Sequence, residues 1–267
     1  MPLSGIPSGG RTTYVAGLGA LMRMMRKNVR RSGEPGLAAR VFARLLLAGT
    51  AALATVAADV SAAPPRQDRV ANFGNQTPSA SARQLADWVA ATRDNAGAGF
   101  IVVDKIAATV YVFDSTARLN ASTPVLLGSA RGDDSAPGIG DRPLSEVGPE
   151  QRTTPAGRFV AERGRNAQGE DVVWVDYDAA VSMHRVRANN PKERRLERLA
   201  TPGAQDNRIS YGCINVPLAF YEARIRPMFA ADVAVVYVLP ETKPWQQVFG
   251  AERMAANQAG RPQRTAR

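Results

Sequence analysis

One cysteine and one histidine in 267 residues are scarce enough for each to exclude something. A single cysteine cannot close an internal disulfide, so Cys213 is a free thiol. Together the two supply only half of a four-ligand zinc site, and no CxxC or HxxxH spacing is present. No metal and no cofactor are therefore expected. A catalytic Cys–His pair also cannot hide among decoys. Either Cys213, in "ISYGCINVP" (209–217), pairs with His184, in "SMHR" (182–185), or the chain has no such pair. Internal repeats are missing, which excludes solenoids and propellers. Long apolar runs are missing as well. The longest, "LLLAGTAALATVAA" (45–58), is too short and too basic upstream for a transmembrane helix.

What the chain has in excess is positive charge, +10 overall, and it is unevenly placed. Residues 1–62 hold eight Lys/Arg against Glu34 and Asp59, leaving the remainder at only +4. A nucleic-acid partner is not expected once that segment is set aside. The segment itself has the order of an export leader: arginines, then the apolar run 45–58, then the small residues Val60-Ser61-Ala62 as a cleavage pattern. Cleavage after Ala62 would leave no membrane span and place the protein in the periplasm or elsewhere in the cell envelope. The long basic region points to Met22, Met24 or Met25 as the true start. A lone free thiol in an exported, oxidising setting calls for a chemical explanation.

Beyond the leader, residues 63–97 read as a linker followed by a short helix. "SARQLADWVAATRDN" (81–95) starts on Ser and carries Leu85, Trp88 and Val89 at helical spacing. From 98 to 240 the texture changes to β-branched and aromatic runs. They are "GFIVVD" (99–104), "TVYVFD" (109–114), "TPVLLGSA" (123–130), "RFVAER" (158–163), "DVVWVD" (171–176), "AVSMHR" (180–185) and "VAVVYVL" (233–239). The last is apolar on both faces and is expected at the sheet centre. Short helices are expected over 190–200 and over 217–225, ending before Pro227. Residues 241–267 read as a disordered tail. The fold class expected is mainly β with short helices.

A thiol becomes a nucleophile when a base, a cation or a helix N-terminus stabilises its thiolate. Cys213 lies just ahead of the helix expected at Pro217, Gly212 allows close backbone approach, and N–H groups at such a turn can form an oxyanion hole. His184 ends an expected strand, from which its ring can reach over the sheet edge. An inert buried cysteine and an unrelated histidine stay open as the plainer reading.

Ser210-Tyr211-Gly212-Cys213-Ile214-Asn215 resembles the nucleophile signature of the L,D-transpeptidases, the YkuD-like cysteine enzymes of bacterial cell walls: Ser/Thr-His-Gly-Cys-hydrophobic-Asn/Arg. Thr154-Pro155-Ala156-Gly157-Arg158-Phe159 matches the family's Thr-Pro-x-Gly-x-Phe motif, and "IVVDKIAATVYVFD" is similar to its opening hairpin. The resemblance spans about 99–239. It implies a β-sandwich-like arrangement of mixed sheets and acyl transfer through Cys213 with His184 as base. The donor would be a tetrapeptide stem of peptidoglycan; the acceptor, an amine of a second stem or of a protein to be anchored. Backbone groups of Tyr211 and Gly212 would hold the oxyanion, and Ser210, Asn215, Thr154 and Pro155 would shape the pocket. Two departures stand out: Tyr211 replaces the motif histidine, and the His184–Cys213 spacing is longer than usual. The extra segment, 187–208, carries Arg187, Lys192, Arg194, Arg195, Arg198 and Arg208 and reads either as a solvated face or as a lid guiding stem carboxylates. A cysteine hydrolase and an inactive wall-binding module remain the rival functions.

Overall fold

The computed structural model describes residues 69–231 and 233–250; the leader read over 1–62 and the tail after 250 lie outside the described residues. The chain is mainly β, built on one eight-stranded mixed sheet with short helices around it. In chain order the strands are β1 (Phe100–Asp104), β2 (Thr109–Phe113), β3 (Leu119–Pro124), β4 (Leu127–Gly128), β5 (Gly157–Arg165), β6 (Asp171–Asp176), β7 (Val181–Arg185), β8 (Arg208–Ser210), β9 (Ile214–Val216) and β10 (Val233–Val238). The large sheet runs β3-β2-β1-β10-β5-β6-β7-β9, and β4 pairs with β8 in a small second sheet. Pairs β1–β10 and β7–β9 are parallel, the other pairs of the large sheet antiparallel. The apolar strand β10 is central, as its two-faced hydrophobicity requires.

Inward side chains from both halves of the sheet meet in one cluster. Ile101, Val110, Val112, Ala161, Val173, Met183, Ile214 and Val236 all belong to it. A flat sheet could not bring β2 and β9 residues to one core, so the sheet is strongly curved around its own inner face. Just after β3, at one sheet edge, the chain reaches the opposite edge, where Leu126 and Asn215 exchange backbone hydrogen bonds of 3.0 and 2.8 Å.

The outer face of β1, β2 and β10 is covered by α1 (Ala80–Thr92). Ser79 caps this helix through its Oγ on the Ala82 N–H. Its Ala82, Leu85, Ala86 and Val89 stripe packs on Phe100, Val102, Tyr111 and Tyr237. Each fully buried side chain of Leu or Val size contributes about 1.5–3 kcal/mol. The stretch expected as linker joins this layer: Ala71 and Phe73 are buried, and the Phe73 ring stands edge-on to Phe113, 5.0 Å between centroids. Residues 241–250 are also ordered into the fold, with α5 (Trp245–Phe249) bringing Trp245 against Trp88.

Three local readings are corrected. The strand expected over 123–130 is two pieces, because Pro124 has no ladder N–H and the chain there changes sheets. The 190–200 segment is a single 3₁₀ turn followed by α2 (Arg195–Ala200). The helix expected to end before Pro227 runs on, as α3 (Leu218–Phe220), a π turn (Tyr221–Ile225) and α4 (Arg226–Met228). The wider π spacing ahead of Pro227 accommodates a residue that cannot donate. No helix among the described residues is long and apolar enough to cross a membrane.

Candidate active site

Strand alternation decides which side chains meet. In β7, Val181 and Met183 enter the core, so Ser182 and His184 face the other way. In β9, Ile214 and Val216 enter the core, which turns Cys213 and Asn215 outward. Parallel pairing sets His184 opposite Asn215 and Met183 opposite Ile214, placing Cys213 level with Ser182. The two singletons are thereby brought close enough for the His184 ring and the Cys213 thiol to shift each other's protonation. His184 Nδ1 lies 2.7 Å from the Arg185 carbonyl, to which it donates, so the ring's other nitrogen, Nε2, is not used by that bond. Ser182 adds its N–H at 3.5 Å and its hydroxyl at 3.6 Å from Sγ.

The electrostatics follow. Burial pushes the Cys213 thiol up, but the His184 hydrogen bond and charge and the two Ser182 donors outweigh it and bring the pKa down to about 7. Burial pushes His184 down, and the bond and charge of Cys213 with the Arg185 carbonyl outweigh that, so its pKa is raised. Arg195 opposes the rise through its positive charge. Near neutrality the pair favours thiolate and imidazolium, the state a nucleophilic cysteine needs. The helix N-terminus expected beside Cys213 plays no such part. Strand β9 separates the two, a span of roughly 10 Å at strand rise.

The turn carrying Cys213 is fixed from below. Gly212 has φ +129°, and a Cβ there would lie 2.6 Å from the Thr153 carbonyl oxygen. Thr154 is fully buried, accepts from the Gly128 N–H at 2.9 Å and donates to the Gly212 carbonyl at 2.9 Å. Pro155 beside it is buried and has no N–H to satisfy. Ser210 Oγ donates to the Cys213 carbonyl at 2.7 Å and accepts from the Gly212 N–H at 3.1 Å. The Gly212 N–H expected for an oxyanion is thus already engaged. Asn215, fully buried, donates to the Cys213 carbonyl at 3.1 Å and accepts from Arg195 at 2.5 Å. Ser210, Asn215, Thr154 and Pro155 therefore brace the turn from within, whereas Tyr211 stands 40% exposed beside it.

Several contributors had no local signal. Lys105 is wholly buried and donates to Asp133 at 2.8 Å and to the Thr154 carbonyl at 2.9 Å, reaching the turn through Thr154. Glu241 lies 3.6 Å from the same ammonium and binds Arg208 at 2.6 Å. Ser182 was detectable by alternation around His184. Lys105 and Asp133 meet across 28 residues and were not. In the 187–208 segment, Arg187, Arg194, Arg195 and Arg208 pair with Glu170, Glu197, Glu193 and Glu241. A cleft lined by Arg69, Arg93, Asn95, Phe100 and Ser115 lies on the α1 side and includes neither Cys213 nor His184.

No family model and no curated protein matches the chain. Among solved structures it is similar to the catalytic domain of the Enterococcus faecium L,D-transpeptidase, with 16% identity, TM-score 0.30, and 53% of this chain covering 96% of that one. It is similar to the L,D-transpeptidase LdtMt1 bound to imipenem, with 18% identity, TM-score 0.31, and 53% of this chain covering 59% of that one. It is also similar to the helical cell shape determining protein Pgp2 of Campylobacter jejuni, with 13% identity, TM-score 0.36, and 62% of this chain covering 58% of that one. At TM-scores this low the likenesses carry no weight for the chemistry, which rests on Cys213, His184 and the turn that holds them.

Proposed function

We propose that the chain is a cysteine-dependent acyltransferase of the cell envelope, an L,D-transpeptidase acting on peptidoglycan stem peptides. The observation that carries this reading is the β7–β9 register that sets Cys213 beside Ser182 and His184, with the Ser182 N–H 3.5 Å from Sγ and the thiol pKa drawn down to about 7. Cys213 thiolate attacks the carbonyl preceding the terminal residue of a tetrapeptide stem, and the Tyr211 and Cys213 N–H groups stabilise the oxyanion. The His184 imidazolium gives its proton to the departing amine as the C–N bond breaks, leaving a thioester. An amine from a second stem, or from a protein to be anchored, then attacks. His184 takes the proton that this amine loses, and the thiolate leaves as the new amide forms. The leader over 1–62 directs the protein to the periplasm.

Incubating the purified protein with disaccharide-tetrapeptide and reading product masses tests this. A dimer that has lost one terminal residue is expected, and Cys213→Ala yields none. Tripeptide alone would make the enzyme a hydrolase, with water as acceptor. No product with a thiol of ordinary reactivity would make it a wall-binding module.

A further inference from the structure

Gly212 lies flush on the Thr153 carbonyl, so the strand of chain at 152–154 forms one wall of the nucleophile turn. On that wall the Arg152 guanidinium carbon sits 4.1 Å from the centre of the Tyr211 ring. Its Nε and Nη2 both donate to the Val147 carbonyl, at 3.3 and 3.2 Å. One edge of the planar group is therefore tied down, one face is stacked on the aromatic ring, and the edge made by Nη1 is left open.

Arg131 and Arg198 also make no ion pair, bonding Gln205 and two carbonyls, but neither is stacked on an aromatic ring, and other arginines are neutralised. Arg185 pairs with Asp171 and Glu222, Arg187 with Glu170, Arg195 with Glu193 and Arg208 with Glu241. Among the described residues, no carboxylate lies within ion-pair distance of Arg152. A solvated surface arginine also lacks a partner, but it is free to swing. Arg152 is held at one edge and on one face, two residues ahead of the buried Thr154 that bonds to Gly212. Stacking on an aromatic ring and a fixed fork are the properties that suit a guanidinium to carboxylate recognition.

We propose that Arg152, seated on Tyr211, is the carboxylate-binding group of the donor site and selects donors by their negative charge. This rests on the acyl-transfer reading above. Two carboxylates of a donor stem present the same chemistry. The departing terminal residue carries one about 4 Å from the attacked carbonyl carbon, set by standard backbone bond lengths. The third residue supplies another when its side chain ends in a carboxylate. Tyr211 is then more than a replacement for the family's motif histidine. Its ring is the seat on which the cation rests, a role a protonated imidazole would reverse by repulsion.

Steady-state kcat/KM is measured for wild type, Arg152→Gln and Arg152→Lys with three synthetic donors: the free acid, the terminal carboxamide, and the donor amidated on the third side chain. Wild type is expected to favour the free acid over one of the amidated donors by about 10- to 100-fold, the effect of one charge-assisted hydrogen bond, and the amide that loses identifies the carboxylate bound. Arg152→Gln should bring that ratio close to one, and Arg152→Lys should restore part of it. The rate of Cys213 alkylation by iodoacetamide, a neutral reagent, should be alike in all three, which shows the turn intact. Transfer by Arg152→Gln with the wild-type preference unchanged would overturn this assignment and leave the acyl-transfer reading standing. Normal alkylation with no transfer from any donor, in wild type too, would overturn both. Should Arg152→Gln fail to fold, the wild-type and Arg152→Lys ratios decide: equal rates for all three donors in wild type refute the assignment.

Discussion

The Cys213 thiol starts at a disadvantage, since burial alone raises a thiol's pKa, and its neighbours must more than reverse that. They do so by stabilising the anion: the imidazole by hydrogen bond and charge, Ser182 by two donors. The sign is testable. A lowered pKa means that the thiolate forms at lower pH, so iodoacetamide reactivity should rise with a midpoint near 7. His184→Ala removes the two largest lowering contributions and should move that midpoint up towards the ordinary thiol value of about 8.5. The reaction at neutral pH should then slow by roughly tenfold. A midpoint that stays near 7 in His184→Ala would remove His184 from the mechanism. Ser182→Ala, which keeps the backbone donor, should move it less. Acylation is the sterner check. A carbapenem should add once to Cys213, and His184→Ala should slow the reaction by about 10²–10⁴-fold, the usual loss when general acid–base help is removed.

The β8–β9 turn fixes where the Cys213 thiol of this electrostatic pair sits. Its backbone leaves no room for a side chain at Gly212, where a Cβ would collide with the Thr153 carbonyl at a φ that only glycine adopts readily. Gly212→Ala is therefore expected to abolish transfer and to cost about 1–3 kcal/mol of stability, read by denaturant melts. Thr154→Val keeps the shape but leaves the Gly128 N–H without its buried acceptor, for a loss of about 1–3 kcal/mol and slower acylation. How much of this was legible follows from length and alternation. The long apolar runs at β1, β2, β6, β7 and β10 announce themselves within a few residues. Strands β8 and β9 have three residues each, too few for a period, and β3 is the largely polar "LNASTP". The nearness of Cys213 to His184 was legible because each member is unique in the chain. Its true surroundings were not: Arg195, Arg152 and Lys105 reach the turn only through folding. The helix N-terminus credited to Cys213 failed because β9 intervenes.

At the scale of the whole molecule, a curved sheet needs something to hold its far-apart segments in register, and the Lys105 cluster does this beneath the turn. Asp133 accepts from Lys105 and from the backbone N–H groups of Glu241, Thr242 and Lys243, joining the β1–β2 connection to the segment after β10. Arg208, at the start of β8, binds Glu241 and the Lys105 carbonyl. Burial pushes the Asp133 carboxyl up, but Lys105 and these donors hold it far below the usual carboxylate range. A depressed folded pKa contributes stability that is present above the unfolded value of about 3.9 and lost as pH falls through the folded value. Wild type should therefore keep the full contribution down to about pH 4 and lose it progressively below that. Lys105→Met breaks the pair while leaving Asp133 and Glu241 buried, and is expected to cost about 3–5 kcal/mol at neutral pH. With the ammonium gone, the Asp133 pKa rises towards its ordinary value, so the variant lacks this contribution and the gap to wild type narrows as pH falls from about 4 towards the wild-type folded pKa. Urea melts of both proteins across the acid range read this directly. A gap that is small at neutral pH, or that stays constant into strong acid, would show that the cluster does not hold the sheet together.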